Sequence, residues 1–239
     1  MALIYEVLSV ENITNEQLTA CSALFNTNYG VWAPNAPSPL KPGTHVKNSA
    51  AKLRKEYLTD TQNSVIVTCT LDGQLVGHAC VTKWKYQNGY VGWVTQLVVD
   101  GKERRRYIAT SMLQMLKRHR WFENVIMMGI ASSHPASCNV LCKLFNGNTK
   151  NVDLGFIVEH AQDVLNCSTV EYLRTAELGG AFKGTPDGSY LVNTSFFVDH
   201  TEPKAILRTY VAEGKWAFGE LIDGHEFLVL IAVPKVIES

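Results

Sequence analysis

The sequence predicts an α/β fold: a mixed sheet that begins as an antiparallel meander, continues through a βαβ crossover and ends in a C-terminal β-rich extension. Three observations predict it. Two hairpin signals, Asp72-Gly73 and Asn88-Gly89, separate three β-rich runs at 64–71, 75–84 and 90–99. The apolar period then changes from two to about 3.6 at Ile108, Met112, Leu113 and Leu116, which reads as a helix of roughly three turns. A short, wholly apolar run at 125–130 follows, and strand, helix, strand in that order implies parallel pairing.

The remaining elements follow in order. Thr14-Asn15-Glu16-Gln17 has the form of a capping box, and Leu18, Cys21, Leu24 and Phe25 recur at helical spacing, so a first helix is expected over 15–27. Pro34, Pro37, Pro39 and Pro42 make 31–43 a loop, either a substrate lid or a connector. Val46, Ala50, Leu53 and Tyr57 form one face of a second helix. After the crossover, Pro135 opens a helix at 136–145. Beyond Gly147, strands are expected at 154–159, 170–173 and 190–198, with a Gly/Pro-rich loop at 181–189. Segments 216–222 and 225–233 flank Asp223-Gly224 as a further hairpin, whose apolar second strand must be buried in this chain or against another copy. The division expected is a core over residues 1–160 and a β-rich part over 161–239 that completes the sheet, covers an acceptor site or forms a homodimer contact.

Composition narrows the function classes. The 239 residues are 46% hydrophobic and 18% charged, enough apolar side chain for a substantial core. Lys+Arg and Asp+Glu both number 22, so no global field draws the chain to nucleic acid or to an anionic membrane. The six cysteines show no CxxC spacing, which fits free thiols in a reducing compartment. Neither a signal-peptide pattern nor an apolar run long enough to span a bilayer is present, so the expected location is the cytoplasm, with the nucleus as alternative.

The stretch that carries chemistry joins the third meander strand to the following helix. A strand ends at Leu97-Val98-Val99; a basic loop follows, with Arg104, Arg105 and Arg106 directly before a helix that starts near Tyr107 or Ile108. Unpaired amides and the positive dipole end of that first turn, together with arginines, bind phosphate or pyrophosphate. A basic loop that merely caps a core helix, or a nucleic-acid patch at 104–106, are the other readings.

In this order of elements and in the run Arg104-Arg105-Arg106-Tyr107-Ile108-Ala109, the chain resembles the GNAT acyltransferase superfamily. The family signature is Gln or Arg, two variable residues, Gly, one variable residue, then Gly or Ala. The first and last positions agree; Tyr107 stands where Gly is usual, and helical dihedrals with an outward side chain are expected there. The resemblance covers roughly residues 3–159. It implies an N-acetyltransferase that passes an acetyl group from acetyl-CoA, as co-substrate and without metal, to a primary amine of a small molecule or protein by direct attack in a ternary complex. It implies a cofactor site at Leu97, Val98, Val99, Arg104, Arg105, Arg106, Tyr107, Ile108, Ala109 and Thr110, with Asn139 and Lys143 at the pantetheine or adenosine end. The backbone N–H of Val98 would meet the thioester carbonyl. The tyrosine that protonates the leaving thiolate in many members falls at Leu141, so the usual acid is missing. Cys138 and Cys142 are nearby thiols, though small core residues by default. His134, just past the strand at 125–130, is the candidate proton acceptor; a histidine bonding the helix backbone is the alternative. Tyr190, Asp199, His200, His225 and Glu226 are weaker candidates, read as β-surface residues with no metal-ligand spacing. Trp32, Trp84 and Trp93 could wall an acceptor pocket, with core packing as the default. The competing class is a GNAT-like module that binds CoA or a partner without turnover.

Overall fold

A computed structural model describes residues 2–58, 60–145, 147–185 and 188–234. Eight strands form a single sheet: β1 (Leu3–Ser9), β2 (Ser64–Leu71), β3 (Gln74–Tyr86), β4 (Gly89–Val99), β5 (Val125–Ser132), β6 (Glu177–Gly180), β7 (Tyr190–Phe196) and β8 (Gly224–Ala232). Their order is β1-β2-β3-β4-β5-β8-β7-β6. Among the described residues only β4 and β5 pair in parallel; every other neighbour is antiparallel. The predicted mixed sheet, its meander and its βαβ crossover are all present.

The turns follow from backbone chemistry. Asp72 and Gly73 both take positive φ, 49° and 83°, as the tight β2–β3 turn requires. The next turn lies one residue earlier than Asn88-Gly89 implies. Tyr86 pairs with Gly89, leaving Gln87 and Asn88 as the turn, and Gly89 begins β4. Glycine serves there for space, because a Cβ would come within 2.7 Å of the Asn124 carbonyl oxygen.

The helices are α1 (Asn15–Asn28), α2 (Ala50–Lys52), α3 (Ile108–Lys117), α4 (Pro135–Lys143), α5 (Leu154–Asn166), α6 (Glu171–Arg174) and α7 (Thr201–Ala212). The capping box at Thr14 forms in both directions, with Gln17 N donating to Thr14 Oγ1 at 3.1 Å and Thr14 N to Gln17 Oε1 at 2.9 Å. In α3, Ile108, Met112, Leu113 and Leu116 are buried, and Ile108 packs against Gly77 of β3. The face from α1 to the turn at Leu53–Tyr57 buries Leu18, Cys21, Leu53 and Leu58 against Ile66 and Cys80.

Five expectations are corrected. Residues 3–9 form a strand that pairs with β2, so the meander has a fourth member. The second helix is one short turn followed by a π-turn at Leu53–Tyr57, and Val46 lies before it, packed with Leu24 and Val98. Residues 154–159 belong to helix α5, where Ile157, Ala161, Val164 and Leu165 are buried at helical spacing and Asp153 caps Phe156 N at 2.9 Å. Residues 170–173 fall on α6 rather than a strand. Segment 216–222 is not a strand; β8 instead inserts between β5 and β7, which buries its apolar run, and an unforeseen helix, α7, precedes it. Of the loop expected over 181–189, residues 186 and 187 lie outside the described residues.

Candidate active site at the parting of two strands

The site begins where β4 and β5 separate. They pair from Tyr90 opposite Val125 to Val94 opposite Ile130. Thr95 then interrupts the β3–β4 register, which jumps from Val81 opposite Val94 to Cys80 opposite Gln96. Its hydroxyl donates to the Cys80 carbonyl at 3.0 Å. Such a bulge bends a strand and ends its pairing. Beyond it β4 continues against β3 to Val99, β5 continues against β8 to Ser132, and a gap opens between them.

Backbone alternation decides which peptides face that gap. Asp100 N donates to the Val76 carbonyl at 2.9 Å. Stepping back by two along the antiparallel ladder makes His78 and Val98 a bonded pair as well. The Val98 amide is therefore committed to β3, and the peptides of Leu97 and Val99 turn toward the gap. Arg104 Nε reaching the Val99 carbonyl at 3.5 Å agrees with this. The Val98 N–H is not the one a ligand in the gap would meet.

At the mouth of the gap stands the amino end of α3. Its first intrahelical bond runs from Ser111 N to the Tyr107 carbonyl, 2.9 Å, and no side chain caps the turn. The amides of Ile108, Ala109 and Thr110 thus lack intrahelical partners. Tyr107 corrects another expectation. Its φ is 60° and ψ 13°, left-handed rather than helical, while its side chain is 72% exposed and points outward as anticipated.

The three arginines have different partners. Arg104 Nη2 donates to the Asn28 carbonyl at 2.8 Å, and Nη1 pairs with Glu202 of α7 at 2.8 Å. Arg106 pairs with Glu103. Arg105, at φ 64°, makes no ion pair among the described residues. Lys143 reaches in from α4, its Nζ 6.0 Å from the Tyr107 ring.

His134 is the cap of α4. Its Nδ1 accepts from Ala136 N at 3.1 Å, and Nε2 lies 3.9 Å from Glu202 Oε1. The cap uses the Nδ1 lone pair, so the neutral ring carries its proton on Nε2. This leaves the imidazole without a free lone pair for an amine proton, the property for which it was singled out. Glu202 is held down to about 2, chiefly by the His134 ring beside it and further by Arg104. It is an anion that ties α7 to both.

On α4, Leu141 is fully buried, and Asn139 Nδ2 donates to the Tyr210 hydroxyl at 3.2 Å. Burial pushes the Cys138 thiol well above its ordinary range and that of Cys142 up to about 12. Neither thiol ionises near neutrality.

These elements surround a cavity of about 1170 Å³. Every cofactor and catalytic candidate drawn from the sequence borders it, except Arg106. Sequence reasoning missed Tyr29, Thr95, Ser133, Glu202 and Tyr210 on its walls. Glu202 and Tyr210 sit on a helix that was not foreseen, and a bulge such as Thr95 leaves no composition signal. The weaker C-terminal candidates divide. His200 is buried with its Nδ1 3.6 Å from Asp223 Oδ1, and Glu226 is buried rather than on a β surface. Trp84 and Trp93 pack together in the core at 5.8 Å between ring centres, whereas Trp32 lies against Phe196 at 5.4 Å.

Comparison with known proteins bears on this geometry. Residues 32–144 match the model of the acetyltransferase (GNAT) family. No curated protein matches. Solved structures with a similar arrangement include the NatC complex bound to Gag peptide and CoA (13% identity, 59% of this chain and 82% of that one, TM-score 0.43). The ribosomal-protein-S18-alanine N-acetyltransferase from Escherichia coli is another (11%, 59% and 77%, TM-score 0.42). A third is a diaminobutyrate acetyltransferase from Paenibacillus lautus in complex with L-2,4-diaminobutyric acid and coenzyme A (16%, 66% and 76%, TM-score 0.37). Over residues 32–144 the chain is thus similar to the acetyltransferase (GNAT) family.

Proposed function

We propose that the protein is an N-acetyltransferase that uses acetyl-CoA as co-substrate and acetylates a primary amine of a small molecule or protein by direct attack. The observation that carries this reading is the gap between β4 and β5, which opens directly onto the uncapped amino end of α3. A gap between strands exposes unpaired peptide groups, which suits an extended amide-containing arm. An uncapped helix terminus suits a pyrophosphate.

In this reading the pantetheine lies along Leu97, Val98 and Val99, and hydrogen-bonds the outward peptides of Leu97 and Val99. The pyrophosphate rests on the amides of Ile108, Ala109 and Thr110 with Tyr107 to the side. Arg105 and Lys143 supply its counter-charge; Arg104 and Arg106 shape the loop. Asn139 borders the arm from α4. The thioester carbonyl accepts from the Leu97 N–H, which stabilises the oxyanion that forms on attack. The amine lone pair bonds the thioester carbon, the C–S bond breaks, and the leaving thiolate takes a proton as CoA. His134 positions the start of α4 and, through Glu202, the start of α7.

Residues 1–160 carry the cofactor half in this scheme, and 161–239 the acceptor half. Among the described residues no helix is long and apolar enough to cross a membrane, and a cytoplasmic site of action is part of the proposal.

Calorimetry with acetyl-CoA and a thiol-release assay over an amine panel test it. The reading expects one binding site and release of CoA that depends on amine. Binding without amine-dependent release would point to a CoA-binding module, which the buried Leu141 at the usual acid position would suit. No binding at all would end the proposal.

A further inference from the structure

Helix α7 lies beyond residues 32–144, the part that matches the acetyltransferase (GNAT) family model. It contributes Glu202, Ala205, Ile206 and Tyr210 to the cavity wall. These positions recur every three to four residues, so one stripe of the helix faces the cavity along its length. From Glu202 to Tyr210 the stripe runs about 12 Å, at about 1.5 Å per residue.

Two polar ties hold this stripe over the gap between β4 and β5. At one end, Glu202 Oε1 accepts from Arg104 Nη1 at 2.8 Å and lies 3.9 Å from His134 Nε2. Arg104 belongs to the loop that leaves β4, and His134 follows β5. A single carboxylate oxygen therefore spans from one side of the gap to the other. At the other end, Asn139 Nδ2 of α4 donates to the Tyr210 hydroxyl at 3.2 Å.

The helix has little else beneath it. Only Pro203 and Leu207 of its twelve residues are buried, whereas α3 buries four of ten. Elements that open locally are those with few buried apolar contacts. The flanks of α7 are fixed by contrast. Asp199 N donates to the Val31 carbonyl at 2.8 Å, and beyond Gly214, at φ 62°, Trp216 packs on Phe227 at 4.7 Å between ring centres. The segment is anchored at both ends and weakly seated in the middle.

We infer that α7 is a strap over the cofactor gap and that Glu202 is its latch, which must release Arg104 for acetyl-CoA to enter and to leave. The inference rests on the reading of the gap as the acetyl-CoA site. An arm lying between β4 and β5, with its pyrophosphate on the amino end of α3, passes beneath the strap. While Glu202 joins the two sides, such a ligand cannot be laid into the gap from the open end. Once the arm is in place the latch can close again, because Glu202 bonds Arg104 and not the amides of Ile108 to Thr110. The latch therefore slows entry and exit alike and leaves the affinity nearly unchanged. Its strength is modest: Glu202 has a side chain 61% exposed, and a partly exposed ion pair shifts an equilibrium by up to about fivefold.

The test measures exchange on the full chain, without turnover. Radiolabelled acetyl-CoA gives the association rate, and a chase with excess unlabelled acetyl-CoA gives the dissociation rate. Glu202→Ala should speed both roughly fivefold, with Kd within about twofold of wild type. The pairing of the two effects is the signature. Loss of a negative charge beside an anionic ligand would by itself speed association and slow dissociation. Loss of a wall contact would by itself speed dissociation alone. Tyr210→Phe removes the second tie and keeps the ring, which lies 6.0 Å from that of Trp216. It should raise both rates about threefold, and it decides the question if Glu202→Ala does not fold. Unchanged rates in Glu202→Ala, or a rise in only one of them, would overturn the latch and mean that acetyl-CoA threads beneath a fixed strap. Failure of wild type to bind acetyl-CoA would instead remove the reading of the gap as the cofactor site.

Discussion

Three consecutive arginines precede α3, and their partners separate their roles. Arg104 is occupied by Asn28 and Glu202, and Arg106 by Glu103, while Arg105 borders the cavity without an ion pair among the described residues. A charge-assisted hydrogen bond contributes about 1.5–3 kcal/mol, so Arg105→Ala should weaken acetyl-CoA binding roughly tenfold or more. Arg106→Ala should change it less than about twofold, because Arg106 does not border the cavity and its surface ion pair with Glu103 contributes about 0–1 kcal/mol. Titration calorimetry of the two variants checks the order; equal losses would contradict it. Glu226 makes a separate prediction through stability. Its carboxyl titrates near 7 in the folded chain against an ordinary 4.5, so the native state binds that proton more tightly than the unfolded chain. Stability is then lost as pH rises from about 4.5 through about 7, by an amount on the order of 3 kcal/mol. Glu226→Gln should consequently melt higher than wild type at pH 8 and similarly at pH 5. A lower melting temperature at pH 8 would show that the carboxylate is favourably paired.

At the scale of elements, the loop from Asp100 to Tyr107 shows what a side chain costs where the backbone needs positive φ. Left-handed geometry at a residue with a Cβ costs about 1–2 kcal/mol. Tyr107 adopts it, and its ring is exposed. Tyr107→Gly should therefore raise stability by up to about 1 kcal/mol, measured by urea unfolding, with acetyl-CoA binding retained. A loss of stability would show that the Tyr107 ring contributes through Lys143 or α4. The elements also differ in how legible they were. The capping box at Thr14, the turn at Asp72-Gly73 and the period of α3 are local devices, and each was readable because its signal lies within a few residues. Residues 154–159 were not, since six largely apolar residues fit either period; the helix is resolved only by Ala161, Val164 and Leu165 further on. β1 has an irregular burial pattern and exists because its partner β2 lies beyond α1. Thr95, Glu202 and Tyr210 reached the site through a bulge and through α7, which are tertiary arrangements without a sequence code.

At the scale of the whole molecule, one sheet joins the two halves that the sequence divides at residue 160. β8, from the C-terminal half, is inserted beside β5, so Ser132 and Ser133 stand between the α3 side and the face that carries Glu226. α7 closes the mouth by accepting from Arg104 at Glu202 and from Asn139 at the Tyr210 hydroxyl. Crystals of the protein soaked with acetyl-CoA test this arrangement most directly. The pantetheine should lie between β4 and β5 with its amides on the Leu97 and Val99 peptides, the pyrophosphate on the amides of Ile108 to Thr110, and the sulfur close to Ser133. Acetyl-CoA bound on another face, or in the gap with its sulfur turned toward Tyr107, would contradict the account.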